Sequence, residues 1–299
     1  MLDVVIIGSG PAGITAAIYA KRANLNVAVV EKEYLGTGQI ADSSRVDNYP
    51  GIPGIDGYSL GEKFREHAES LGVEFTETQV LSLGQKDGIW IIGCDEDITL
   101  ESKAVIYATG CKNRPLGVPG EEKYYGRGLS FCAVCDGAFY KGKRVAVIGG
   151  GDTALDDAMY LSDICEKVYL VHRREFFRGS ASTLEKLKQK ENVEIIVNVR
   201  VEEITGDKKI DGIILDNKTK LNISGLFAAV GMIPQTELLK EFGVLDESNY
   251  VKASEDTKTT VNGLFAAGDV RTKQLRQVVT AAADGANAIY SVMEYLRNI

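Results

Sequence analysis

Three features of the sequence predict an α/β chain of two Rossmann-like dinucleotide-binding domains, the second inserted into the first. An apolar strand, a glycine turn, a small-residue helix and a second apolar strand occur twice, in the same register. Each repeat is followed by a further apolar strand ending in glycine. A last segment of that kind, Leu264-Phe265-Ala266-Ala267-Gly268-Asp269-Val270, has no glycine-rich repeat beside it.

The first repeat opens on Val4-Val5-Ile6-Ile7, turns through Gly8-Ser9-Gly10-Pro11-Ala12-Gly13, continues as a helix to Arg22 and ends Val27-Ala28-Val29-Val30-Glu31. In such a turn the first glycine permits the bend and the second lets backbone approach a pyrophosphate. The third position must be small so that helix and strand can pack. Pro11 fits the first helical turn, where its missing N–H costs nothing. The free N–H groups and dipole of the helix start would hold an anion. Glu31 stands where a carboxylate accepts from an adenosine ribose, which suits FAD or NAD and repels a 2′-phosphate. Val105-Ile106-Tyr107-Ala108-Thr109-Gly110 is the third strand of this unit.

The second repeat runs Val145-Ala146-Val147-Ile148, turns through Gly149-Gly150-Gly151-Asp152-Thr153-Ala154, and ends Val168-Tyr169-Leu170-Val171-His172. Gly149 to His172 spans the same distance as Gly8 to Glu31. Here the ribose end carries His172-Arg173-Arg174 and then Arg178. Guanidinium forks bind phosphate through paired, charge-assisted hydrogen bonds, so this site is expected to take NADPH. A solvated basic turn is the plainer reading of three arginines, and His172 is read as a residue that shapes the turn. Leu226-Phe227-Ala228-Ala229-Val230-Gly231 is the third strand of the second unit. The expected plan is discontinuous: residues 1–114 and 245–299 form the first domain and residues 115–244 the second, with Pro115, Pro119 and Gly243 near the crossings.

A length of 299 residues with 25% charged side chains suits an ordinary globular protein of this size. The formal charge of −8 argues against nucleic acid as the main partner. The chain enters an apolar strand at once instead of a signal peptide, and no apolar run reaches the length of a membrane span, so a cytoplasmic protein is expected.

Of five cysteines, only Cys132-Ala133-Val134-Cys135 are close in sequence; Cys94, Cys111 and Cys165 are scattered. A zinc site would need four ligands, and no second half-site of regular spacing exists. Two inert buried thiols are another alternative. A flavin and a nicotinamide site, however, need a two-electron acceptor, and a close dithiol pair is one: a thiolate attacks an external disulfide and its neighbour resolves the mixed disulfide. Asp136 follows directly, with no His nearby in sequence, and is the candidate for handling the proton. A surface Asp opening a turn with Gly137 is its plainer reading.

Taken in order, these motifs resemble the low-molecular-weight thioredoxin reductases over nearly the whole chain. The matching residues are Gly8 to Gly13, Ala108-Thr109-Gly110, Cys132 to Asp136, Gly149 to Ala154, His172-Arg173-Arg174 with Arg178, and Gly268-Asp269-Val270 followed by Arg276-Gln277. The resemblance implies a homodimeric FAD and NADPH flavoprotein whose partner is thioredoxin, with the cysteine pair in the inserted domain. It implies that Cys135 lies against the flavin, that Cys132 attacks the protein disulfide and that Asp136 is the acid/base. It further implies that Arg276 and Gln277, with the backbone after Asp269, hold the flavin ring and ribityl chain, with Asn48 nearby; the Asp269 carboxylate, directly after its strand, is well placed for a ribityl or ribose hydroxyl. The family's Gly-Gly-Gln run is matched here by the longer Gly36-Thr37-Gly38-Gln39, and Cys111 is an unusual residue after Ala108-Thr109-Gly110. Alternatives within the same fold reduce another protein disulfide or draw on ferredoxin; a non-catalytic redox sensor is the alternative of another class.

Overall fold

The computed structural model describes residues 1–33, 38–43 and 45–299. They divide into two compact units, Met1–Lys112 with Ile233–Ile299, and Asn113–Met232. Gly36 and Thr37 of the longer loop lie outside the described residues.

The first unit begins β1 (Leu2–Ile7), α1 (Pro11–Arg22), β2 (Val27–Glu31), α2 (Gly57–Ser70), β3 (Glu74–Glu77), β4 (Val80–Lys86), β5 (Ile89–Cys94) and β6 (Thr99–Tyr107). Strands β3, β2, β1 and β6 run parallel, and β5 and β4 continue the sheet antiparallel. A parallel sheet is covered on both faces, which is why β1 and β2 are apolar runs without alternation. One face packs Val4, Ile6, Val27 and Val29 under the helices. The other packs Val5, Ile7 and Val105 against Trp90 and Ile92 of β5. Helix α2 starts on Asp56, whose side chain accepts from the Ser59 N–H.

Strand β7 (Cys111–Asn113) leads across to the second unit. There β8 (Leu129–Ser130) and the one-turn helix α3 (Ala133–Asp136) precede β9 (Arg144–Gly149), α4 (Asp152–Ser162), β10 (Lys167–His172), α5 (Ala181–Lys188) and β11 (Val193–Val197). A three-stranded antiparallel sheet of β12 (Val201–Thr205), β13 (Gly212–Leu215) and β14 (Lys220–Asn222) follows, then β15 (Gly225–Ala229). The parallel sheet has the order β11-β10-β9-β15-β8. Its central strand β9 is thus the first strand of the second repeat, as β1 lies inside the first sheet.

The chain returns along β16 (Met232–Pro234), which pairs with β7. The return lies earlier than residue 245, and the expected boundary is corrected accordingly. The physical reason is burial: Leu239 and Val244 are in the core beside Trp90, and Phe242 packs on that indole at 5.6 Å between ring centroids. Gly243 takes a left-handed conformation after the 3-10 turn Glu237–Phe242, so it ends a local turn and not a domain. Strand β17 (Leu264–Ala266) then pairs parallel with the end of β6, and α6 (Val278–Leu296) packs on α1. No helix among the described residues is long and apolar enough to cross a membrane.

Candidate active site

Cys132 and Cys135 form a disulfide, with the sulfurs 2.09 Å apart. Cys132 is the N-cap of α3, and its Sγ accepts from the Cys135 N–H at 3.2 Å. The sulfurs therefore sit at the head of a helical turn. Asp136 is half-buried in the same turn, and Ser130 Oγ donates to its Oδ2 at 2.6 Å while accepting from the Cys132 N–H at 3.1 Å. Burial raises the Asp136 carboxyl above its ordinary range, and the Ser130 bond opposes that shift. The plainer reading of Asp136 as a surface turn residue does not hold. Ser130, which the sequence gives no reason to select, ties the carboxylate to the cysteine turn. Val134, between the two cysteines, is exposed.

In the first unit, a methyl group built on Gly13 would lie 1.9 Å from the Gly8 carbonyl oxygen, so the requirement for a small third position is met in full. Gly10 precedes α1 without any side-chain cap, in contrast to α2 and to α5, which Ser180 caps. The first N–H groups of α1 are thus left for a ligand. Ser9 and Ala12 are buried beside them. Glu31 is buried; its Oε1 accepts from Arg65 Nη1 at 2.6 Å, and its Oε2 has no partner among the described residues. Asp269 Oδ1 is buried without a partner as well. Two buried, unpaired carboxylate oxygens at the strand ends are what hydroxyl groups of a dinucleotide would satisfy.

Several other predicted residues meet around that turn. Asn48 Nδ2 donates to Gln277 Oε1 at 2.8 Å. Arg276 Nε donates to the Asp269 carbonyl at 3.2 Å and its guanidinium lies 4.2 Å over the Tyr250 ring. Gln39 donates to the carbonyl of Cys111, and Cys111 Sγ to the Asp269 carbonyl at 2.9 Å. Burial pushes the Cys111 thiol up to about 11, so it stays protonated and serves as a buried donor. Thr109 Oγ1 is turned to the Gln235 carbonyl at 2.8 Å, beside Ala108 and Gly110.

In the second unit, α4 follows Gly151, again without a side-chain cap. A methyl group on Gly149 would lie 2.7 Å from the Ala154 side chain, and one on Gly150 2.2 Å from the His172 ring; around Gly151 the space is open. His172 is buried and stacks on Phe177, with ring centroids 4.9 Å apart. Burial, helped by the charges of Arg173, Arg174 and Arg178, lowers the His172 pKa, so its ring is a neutral support for the turn. Arg173, Arg174 and Arg178 are exposed. The loop carrying them folds back on the glycine turn: the N–H of Arg178 donates to the Gly150 carbonyl at 2.7 Å, and the N–H of Ser180 to Asp152 Oδ1 at 2.7 Å. Asp152 therefore anchors the arginine loop, while Thr153 is exposed at the helix start. This puts a cationic loop at an uncapped helix N-terminus, a combination suited to phosphate.

A profile of the pyridine nucleotide-disulphide oxidoreductases matches residues 2–285. The chain belongs to that family. Its sequence is 40% identical to the thioredoxin reductase of Helicobacter pylori, with 100% of both chains covered. It is 39% identical to a Clostridium pasteurianum protein described as a 34.2 kDa protein in rubredoxin operon, covering 99% of this chain and 97% of that one. The crystal structure of thioredoxin reductase from Streptococcus pyogenes superposes with a TM-score of 0.94 at 40% identity, covering 100% of this chain and 99% of the other. Within the pyridine nucleotide-disulphide oxidoreductases, the chain is thus similar to thioredoxin reductases along its whole length, and it is an enzyme of disulfide redox chemistry.

Proposed function

We propose that this chain is an NADPH-dependent, FAD-containing thioredoxin-disulfide reductase of the cytoplasm that acts as a homodimer. The observation that carries the reading is the Cys132–Cys135 disulfide at the head of α3, with a half-buried Asp136 tied to it through Ser130, in a chain with two uncapped glycine-turn helices. In the first unit Gly8, Gly10, Gly13, Glu31 and Asp269 would hold FAD, with Gln39, Asn48, Arg276 and Gln277 around its ring end. In the second, Gly151, Thr153 and the Arg173, Arg174 and Arg178 loop would hold NADPH. When bound, NADPH and FAD supply the two electrons that open the disulfide.

From there the chain's own residues carry the exchange. In the reduced pair, Cys132 as thiolate attacks one sulfur of the oxidised partner protein and expels the other as thiolate. Cys135 then attacks Cys132 Sγ, releases the partner's second thiolate and restores the disulfide. Asp136, with its pKa raised by burial, can hold a proton at its carboxyl and deliver it to the leaving thiolate.

The test is an assay of NADPH oxidation with thioredoxins from the same genome, beside glutaredoxin-like proteins and ferredoxin. Purified protein is expected to be yellow, to bind FAD and to turn over steadily with a thioredoxin. A single stoichiometric oxidation would mark a redox sensor, and turnover only with another carrier would replace the partner.

Asp136→Asn should lower kcat for disulfide reduction by about 10²-fold or more, the usual worth of a positioned acid/base. Flavin reduction by NADPH, followed by stopped flow, should be unchanged. Because a raised carboxyl pKa keeps the acid form to higher pH, the wild-type rate should fall as pH rises through that pKa, and this limb should vanish in the variant. An unaltered alkaline limb in Asp136→Asn would remove Asp136 from the proton path.

A further inference from the structure

Asp284 lies on α6, outside every motif of the sequence, with its side chain only 4% exposed. Its carboxylate accepts four hydrogen bonds from three residues. Oδ2 accepts from Arg271 Nε at 2.8 Å, from Lys273 Nζ at 2.9 Å and from the Gly268 N–H at 2.9 Å, and Oδ1 accepts from Arg271 Nη2 at 2.6 Å. The cations are buried with it, at 8% and 6% side-chain exposure. A carboxylate so enclosed is costly to bury, and a partnered cation left behind by its loss would be costlier still.

What sets this cluster apart from an ordinary buried ion pair is where its backbone bond goes. Gly268 is the residue directly before Asp269, whose buried Oδ1 has no partner among the described residues. Gly268 has φ +81, in the left-handed region that favours glycine. Its N–H is held by Asp284, while on the other side the Asp269 carbonyl is held by Arg276 and Cys111. The short turn Gly268–Val270 is therefore fixed at both ends, and the direction of the Asp269 side chain with it. The next residue, Gly285, lets α6 close on α1: a methyl group there would lie 2.2 Å from the Ala12 carbonyl oxygen. Adjacent residues of α6 thus register both the helix that follows the first glycine turn and the turn that carries Asp269.

We infer that Asp284 is a positioning residue for flavin binding, acting through the Gly268 amide on Asp269. The inference rests on the reading that the first unit binds FAD. Arg271 and Lys273 neutralise Asp284, so the carboxylate can sit near Asp269 without driving it out of place.

The test is a double-mutant cycle on FAD affinity, measured by fluorescence titration of apoprotein. Asp284→Asn keeps the shape and Asp269→Asn removes the charge it positions; far-UV circular dichroism and the apo Tm report the fold. Asp284→Asn should weaken FAD by about tenfold or more, the worth of one or two charge-assisted bonds. If Asp284 acts through Asp269, the double variant should bind little worse than Asp269→Asn alone. Unchanged affinity in Asp284→Asn, additive losses in the double variant, or an affinity loss that merely tracks a lowered apo Tm would each overturn the inference. Wild-type apoprotein that takes up no FAD would instead remove the reading on which it rests.

Discussion

Serine in place of Cys135 should reduce NADPH-driven disulfide reduction by about three orders of magnitude or more, to the rate of the uncatalysed exchange, and so should serine in place of Cys132. The two residues act as a unit, and a lone thiol can form a mixed disulfide without resolving it. Their spectra should nonetheless differ. In Cys132→Ser, the remaining Cys135 thiolate should give a long-wavelength charge-transfer band with oxidised flavin; in Cys135→Ser that band should be absent. Anaerobic absorbance titration of both variants decides the matter, and a band that survives only in Cys135→Ser would exchange the two roles.

Neutral replacement of Arg173, Arg174 and Arg178 together is the second large effect. The three side chains are exposed, so each phosphate bond is discounted for solvent screening to about 1 kcal/mol. Three of them amount to about a 10²-fold loss of NADPH affinity. NADH, which lacks the 2′-phosphate, should be affected much less. The measurements are KM for both coenzymes and direct binding of 2′,5′-ADP. A triple variant that still prefers NADPH by the wild-type ratio would place phosphate recognition on other residues.

Much of this molecule was legible because its signals are local. The turns at Gly8 and Gly149, the apolar runs of β1, β2, β9 and β10, and the cysteine spacing each declare themselves within a few residues. What stayed hidden is pairing between polar residues of different elements. Arg65 meets Glu31 only because α2 folds back beside β2, and Asp284 meets Arg271 and Lys273 only because α6 returns under the preceding loop. Neither pairing leaves a period or a spacing to read. The second boundary was misplaced for a related reason: Gly243 is a conspicuous breaker, whereas the attachment of Leu239, Phe242 and Val244 to Trp90 is visible only in three dimensions. Beside the Asp152 side chain, the fold-back of the arginine loop rests on backbone bonds from Arg178 and Gly179 to Gly150, which carry no side-chain signature.

The three consecutive glycines before α4 meet different surroundings. At Gly149 the neighbours are the Ala229 carbonyl and Ala154, and at Gly150 the His172 ring, so any side chain there would collide with the protein itself. These two positions are closed to drift by the fold. Gly151 has φ −97, within reach of every residue, and open space where a side chain would project. Folding alone leaves that position free to vary. On the proposed reading, that open space is room for an anion at the start of α4, so a side chain at Gly151 would hinder coenzyme binding and leave folding intact.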